Sequence, residues 1–166
     1  LRRRMSRAEL YAEVARFHSV LVAAGVGEGD RVAGYLPNLP ETLVAMLATT
    51  ALGAIWSSAS PDFGEQGVLD RFGQIEPKVL VCVDGYWYNG KPVDCLAKNA
   101  EVVAPMPSLL KVVVVPYLKA APELGSIAKA VAWPAIMDAA VNPKNELIFR
   151  RLAFDHPLVI MFSSGT

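Results

Sequence analysis

Arg31-Val32-Ala33-Gly34-Tyr35-Leu36 and, further on, Ala54-Ile55-Trp56-Ser57-Ser58 are the two runs that decide the fold. Each is short, apolar and preceded by turn residues, as a buried strand should be. Between them, Asn38 and Pro40 signal a helix start. Leu43, Met46, Leu47 and Leu52 then sit on that helix, and Gly53 ends it. Strand, helix, strand with short connections is the βαβ pattern. A βαβ unit cannot be closed by a hairpin, so its strands are parallel and its helices lie on the sheet faces. The expected fold class is therefore α/β, a parallel sheet with flanking helices.

The flanking sequence extends the same logic. Upstream, Ser6 and Glu9 have the spacing of a capping box, followed by the stripe Leu10, Val14, Phe17 and Leu21, with Gly25 as the stop. His18 lies beside that stripe and reads as a partly exposed helix residue, because no second metal ligand follows at i+4. Downstream, Asp62 and Glu65 repeat the capping logic for a helix carrying Val68, Leu69, Phe72 and Ile75, closed by Glu76-Pro77. Gly67 and Gly73 within it carry a helix cost of about 1 kcal/mol each, which suggests close packing or a ligand. Residues 78–83 and 111–115 read as further buried strands. Tyr86-Trp87-Tyr88-Asn89-Gly90-Lys91 contains an Asn-Gly hairpin turn, and 94–103 reads as a helix. Residues 116–134 form a surface excursion, 134–140 a short helix, and 158–162 a last buried strand.

Composition sets the outer bounds. With 166 residues, 53% apolar and 19% charged, the chain can bury a sizeable core and is not disordered. Net charge is zero and the one basic run is Arg2-Arg3-Arg4, so nucleic acid is not an expected partner. The two cysteines, Cys82 and Cys95, lie outside any metal-ligand spacing; Cys82 reads as a free core thiol and a reducing, cytoplasmic compartment is the simplest reading, with a Cys82–Cys95 disulfide as the alternative. The opening residues lead to the expectation of no signal peptide. The uncharged run 42–61 is broken by Thr, Ser and Gly53, which fits helix then strand better than a membrane span.

Three stretches could carry chemistry. Ser163-Ser164-Gly165-Thr166 follows a buried strand, where backbone N–H groups and hydroxyls can approach an anion; an ordinary strand-to-loop turn fits the same residues. Trp56-Ser57-Ser58-Ala59-Ser60-Pro61 could hold a flat heterocycle, or be a half-buried Trp before a serine-rich turn. Tyr88 and Lys91, with their aromatic neighbours, could stack a base and meet a phosphate, or form a plain surface hairpin. No Ser/His/Asp arrangement follows from the placing of His18 and His156; His156, before Pro157, reads as structural.

Longer stretches go further than these. They are Gly29-Asp30-Arg31-Val32-Ala33-Gly34-Tyr35-Leu36-Pro37-Asn38, Leu52-Gly53-Ala54-Ile55-Trp56-Ser57-Ser58, and Ser60-Pro61-Asp62-Phe63-Gly64 with Leu69-Asp70-Arg71-Phe72-Gly73-Gln74-Ile75-Glu76-Pro77-Lys78. Asp84-Gly85-Tyr86 with Tyr88-Asn89-Gly90-Lys91, and Phe162-Ser163-Ser164-Gly165-Thr166, complete the set. In these the chain resembles the adenylate-forming acyl-CoA synthetases, over nearly its whole length. The Ser-Pro-Asp-Phe-Gly and Tyr-Asn-Gly-Lys stretches point to members that activate acetoacetate.

The resemblance implies a two-step ligation of acetoacetate to coenzyme A, driven by Mg-ATP through an acyl-adenylate. It implies that Ser163, Ser164, Gly165 and Thr166 grip the ATP phosphates. It implies that Trp56, Ser57, Ser58, Tyr88 and Lys91 lie against coenzyme A, although the related enzymes have Gly at Ser57 and Ser58 and Arg at Tyr88 and Lys91. The lysine of the ATP loop, the adenine and ribose motifs, the acyl pocket and the C-terminal domain have no counterpart here. Residues 1–166 are thus expected to be part of a large N-terminal AMP-binding domain, inactive alone, with no catalytic residue of their own. Ligases for acetate or propionate, and a non-catalytic nucleotide- or CoA-binding module, are the competing readings.

Overall fold

The computed structural model describes residues 4–140 and 146–163. In chain order the elements are α1 (Arg7–Ala23), β1 (Arg31–Tyr35), α2 (Pro40–Ala51), β2 (Ile55–Ala59), α3 (Glu65–Ile75) and β3 (Val79–Val83). Then follow β4 (Gly85–Tyr88), β5 (Lys91–Asp94), α4 (Leu96–Val103), β6 (Lys111–Val115), β7 (Ala130–Ala132), α5 (Trp133–Ala139) and β8 (Val159–Ile160). Six strands form one parallel sheet in the order β7-β6-β3-β1-β2-β8, and β4 pairs antiparallel with β5 apart from it.

Parallel strands need both faces covered, and the sequence supplies two apolar sides. One face carries Val32, Trp56, Val79, Val81 and Val113 under α1, α2 and α5, with Phe17 stacked on Trp133 at 4.5 Å. The other carries Ala33, Tyr35, Leu80, Cys82 and Val112 under α3 and α4, through Val68, Phe72 and Val102. Alternation along each strand sends successive side chains to opposite faces, so a strand buried on both sides is apolar throughout.

The helix ends follow local chemistry. The Ser6 hydroxyl accepts from the Glu9 N–H at 3.2 Å and the Ser6 N–H donates to the Glu9 carboxylate at 2.6 Å, closing the capping box. Glu9 titrates below the usual carboxylate range, chiefly because of that backbone bond. At α2, Thr42 takes the cap role: its hydroxyl accepts from the Leu39 N–H and donates to the Pro37 carbonyl. Asn89 and Gly90 both have positive φ, as a two-residue hairpin turn of mirror-image type requires.

Several expectations are corrected. The N-cap of α3 is Gly64, without a side-chain cap, so Asp62 and Glu65 form no box. Gly67 and Gly73 are not close-packing points, since an added Cβ would meet ordinary contacts at the first and nothing at the second. The excursion 116–134 contains β7, a three-residue edge strand with too little apolar pattern to announce itself. Asp94 belongs to β5, and α4 begins two residues later. His18 is buried, not partly exposed, and burial pulls its pKa below the ordinary value. The last strand is not buried. It is the two-residue edge strand β8, with Leu158 and Met161 exposed.

A tight packing point within the main sheet is Gly34. A Cβ there would lie 2.5 Å from Trp56 Cζ2 and 2.8 Å from Leu36 Cδ2, so the indole of β2 lies across β1 where no side chain stands. Gly34→Ala is expected to lower stability by about 1–3 kcal/mol through overpacking, read as a lower urea midpoint with unchanged slope.

Candidate functional site at the carboxyl edge of the sheet

Because every strand of the main sheet is parallel, all the carboxyl ends lie on one edge. Open α/β sheets bind ligands there. Among the described residues, the loops that leave this edge include 36–39 after β1, 60–64 after β2, the β4–β5 hairpin after β3, 116–119 after β6, and 161–163 after β8.

Ser163 is exposed beyond β8; Ser164, Gly165 and Thr166 lie outside the described residues. What holds β8 is visible. It pairs with β2 (Trp56 with Val159, Ser57 with Ile160), and the buried Ser57 hydroxyl donates to the Ile160 carbonyl at 2.9 Å. Upstream, segment 146–158 runs without regular structure over the α2–β2 turn. The Arg150 N–H donates to the Ala51 carbonyl, Leu152 packs on Gly53, and the His156 ring pairs with the Gly53 carbonyl at 2.9 Å. His156 therefore has a structural partner. These contacts carry the approach to the serine loop.

Trp56-Ser57-Ser58 lies inside β2, not at its end. Trp56 is 4% exposed and belongs to the core, so it offers no stacking face, and the Ser57 hydroxyl is committed to Ile160. Ser58 is exposed. The hairpin differs: Trp87 and Tyr88 are 55% and 66% exposed, and Lys91 is exposed beside them. Tyr88 pairs directly with Lys91 across the turn, so phenol and ammonium project from one rung. The edge thus carries both candidate regions. The root strand of the hairpin, β3, lies three strand positions from β8, or about 14 Å at the usual spacing.

Two side chains not singled out from sequence clamp the loop between them. The Tyr35 hydroxyl donates to the Phe63 carbonyl at 2.5 Å, and burial raises its phenol well above the ordinary value. Lys98 donates to the Pro61 and Phe63 carbonyls and sits 5.3 Å from the Tyr35 ring centroid. A tyrosine closing an otherwise apolar strand was the available signal for the first; Lys98 gave none. Among the described residues no cluster of three or more His, Cys, Asp or Glu could hold a metal ion. No described helix is long and apolar enough to cross a membrane. Cys82 and Cys95 are free and buried, and burial raises both thiols.

The family model described as AMP-binding enzyme matches residues 1–166. The chain belongs to the AMP-binding enzyme family. Within it, the chain is 49% identical over 163 residues to the acetoacetyl-coenzyme A synthetase of Rhizobium meliloti (strain 1021), covering 98% of this chain and 25% of that protein. It is 47% identical over 161 residues to the acetoacetyl-CoA synthetase of Macaca fascicularis, covering 95% and 24%. The solved acetoacetyl-CoA synthetase from Streptomyces lividans superposes with a TM-score of 0.85 at 43% identity, over 95% of this chain and 23% of that one. The chain thus spans about a quarter of the length of the curated relatives it matches. The fold reading of a parallel sheet with flanking helices is borne out by that structural match.

The Ser57–Ile160 bond is open to a direct check. Ser57→Ala should cost about 1 kcal/mol, a buried hydrogen bond's net worth. Amide exchange should speed up at 159–160 before it does in β1 or β3.

Proposed function

We propose that this chain is part of an ATP-dependent acetoacetate–CoA ligase. The observation that carries the reading is its 49% identity to an acetoacetyl-coenzyme A synthetase over 98% of its length. The parallel sheet supports it, because its carboxyl edge gathers an exposed serine after β8 and an exposed aromatic-lysine rung after β3.

The chemistry is leaving-group activation. A carboxylate resists attack by a thiol because its oxygen is a poor leaving group. In the first step a carboxylate oxygen of acetoacetate bonds to the α-phosphorus of ATP, and the bond from that phosphorus to the bridging oxygen breaks. Pyrophosphate leaves with the electron pair. In the second step the coenzyme A sulfur bonds to the acyl carbon, the bond to the AMP oxygen breaks, and the thiol proton passes to solvent. Magnesium enters with ATP as part of that substrate.

In this reading Ser163, Ser164, Gly165 and Thr166 contact the ATP phosphates through N–H and hydroxyl donors, the arrangement that stabilises phosphoryl charge. Ser58, Tyr88 and Lys91 face coenzyme A: the phenol offers a stacking face and the ammonium a phosphate contact. Trp56 and Ser57 serve by fixing β2. The compartment is the cytoplasm, in keeping with two buried free thiols.

The test uses the full-length protein and acid-dependent exchange of radiolabelled pyrophosphate into ATP, followed by thioester formation. Acetoacetate should be preferred over acetate and propionate by about tenfold or more in kcat/KM. A preference for acetate or propionate contradicts the substrate, and no exchange with any acid supports a binding module instead. The 166-residue chain alone should show no exchange above background.

A further inference from the structure

Beyond β3 the chain turns a corner at Asp84, and three segments meet there. Asp84 is 1% exposed. Its carboxylate accepts from the backbone N–H groups of Tyr117 at 2.6 Å, Leu118 at 2.9 and 3.2 Å, and Lys119 at 2.8 Å. Its own N–H donates to the Val115 carbonyl at 3.2 Å, and its carbonyl accepts from the Cys95 N–H at 2.8 Å. From the helix behind, the Asn99 amide donates to the Val83 carbonyl at 2.8 Å. One residue therefore ties the end of β3 to the end of β6, to the loop after β6 and to the start of α4.

The hairpin grows from this corner. Two-stranded hairpins are marginal on their own, and β4 and β5 pair with no strand of the main sheet. Their placement therefore depends on their base. Leu118 presses against it so closely that a Cβ on Gly85 would lie 2.3 Å from Leu118 Cδ1. At the foot of the other strand, Lys119 pairs with Asp94 at 3.0 Å, an exposed contact of small worth. Both braces come from the loop whose backbone Asp84 holds.

We propose that Asp84 is a positioning residue for coenzyme A. By fixing the backbone of 117–119 it holds the hairpin base, and so sets where Tyr88 and Lys91 meet the nucleotide. The proposal rests on the reading of the hairpin as the coenzyme A contact. The residue type is what the geometry demands. Three successive N–H groups converging on one point make an anion nest, and a carboxylate meets them with acceptors alone. An asparagine there would turn one acceptor into a donor facing donors. The hydrogen bonds of Asp84 run to residues 115–119 and to Cys95, at a strand three positions from β8, so the adenylation half-reaction is expected to survive its loss.

The experiment compares Asp84→Asn, Tyr88→Ala and Lys91→Ala in the full-length protein, reading pyrophosphate exchange and the KM for coenzyme A separately. Asp84→Asn should raise that KM about tenfold while exchange stays within about twofold, because a displaced contact costs binding without touching the first step. If Tyr88→Ala and Lys91→Ala leave the KM unchanged, the hairpin reading fails and this proposal falls with it. If they raise it and Asp84→Asn does not, the positioning role is overturned and the hairpin reading stands. Equal loss of both half-reactions in Asp84→Asn marks a global structural role and also overturns it. Leu118→Ala keeps the carboxylate and its donors and removes the brace against Gly85, which serves if Asp84→Asn does not accumulate folded. It should raise the KM about threefold with exchange intact, by the same displacement argument, and no rise overturns the proposal.

Discussion

Strand β1 pairs in parallel with β2 on one side and β3 on the other, and that double pairing constrains everything else. Parallel neighbours cannot be joined by tight turns, so each connection must cross a face of the sheet and cover it. Helix α2 covers one face and α3 the other, which is why apolar residues line both sides of β1 and β3. The same pairing sends every carboxyl end to one edge. The Gly34 notch leaves room on the sheet face for the indole of Trp56, the largest side chain in the sheet.

The proposed ligand edge is thus a consequence of topology rather than of any one motif. Ser163 stands just beyond β8, an edge strand, which is held through Ser57 and the contacts of segment 146–158 with Gly53. The hairpin stands at the end of β3, inside the sheet, held through Asp84. A peripheral mount and a central mount separate the proposed phosphate and coenzyme A regions, in keeping with the proposed ligation, whose two half-reactions use different substrates.

Much of this was legible in the residues. Periodicity marked β1, α2, β2, β3, β6 and the capped α1, because local pattern and tertiary burial agree there. Asn89-Gly90 marked the hairpin, since few other pairs accept positive φ at both positions. What was not legible depended on contacts distant in sequence. Trp56 and Ser57 look like a ligand platform until β1 and β8 are placed against them. His18 looks exposed until the chain near Ile148 returns to it. β8 looks like a core strand because its residues are apolar, yet it lies at the sheet edge. Asp84 carried a readable signal, a single acid between an apolar strand and a glycine, but its donors come from more than thirty residues away.

The central claim is that the ligands of the full-length protein meet this chain along the carboxyl edge of its sheet. Hydrogen–deuterium exchange of the full-length protein, with and without coenzyme A and a non-hydrolysable ATP analogue, tests it most directly. The nucleotide should slow exchange in residues 161–166 and coenzyme A in residues 85–91, with α1 and α5 unchanged. Protection confined to the amino edge of the sheet or to the outer helices, with both loops unaffected, would contradict it.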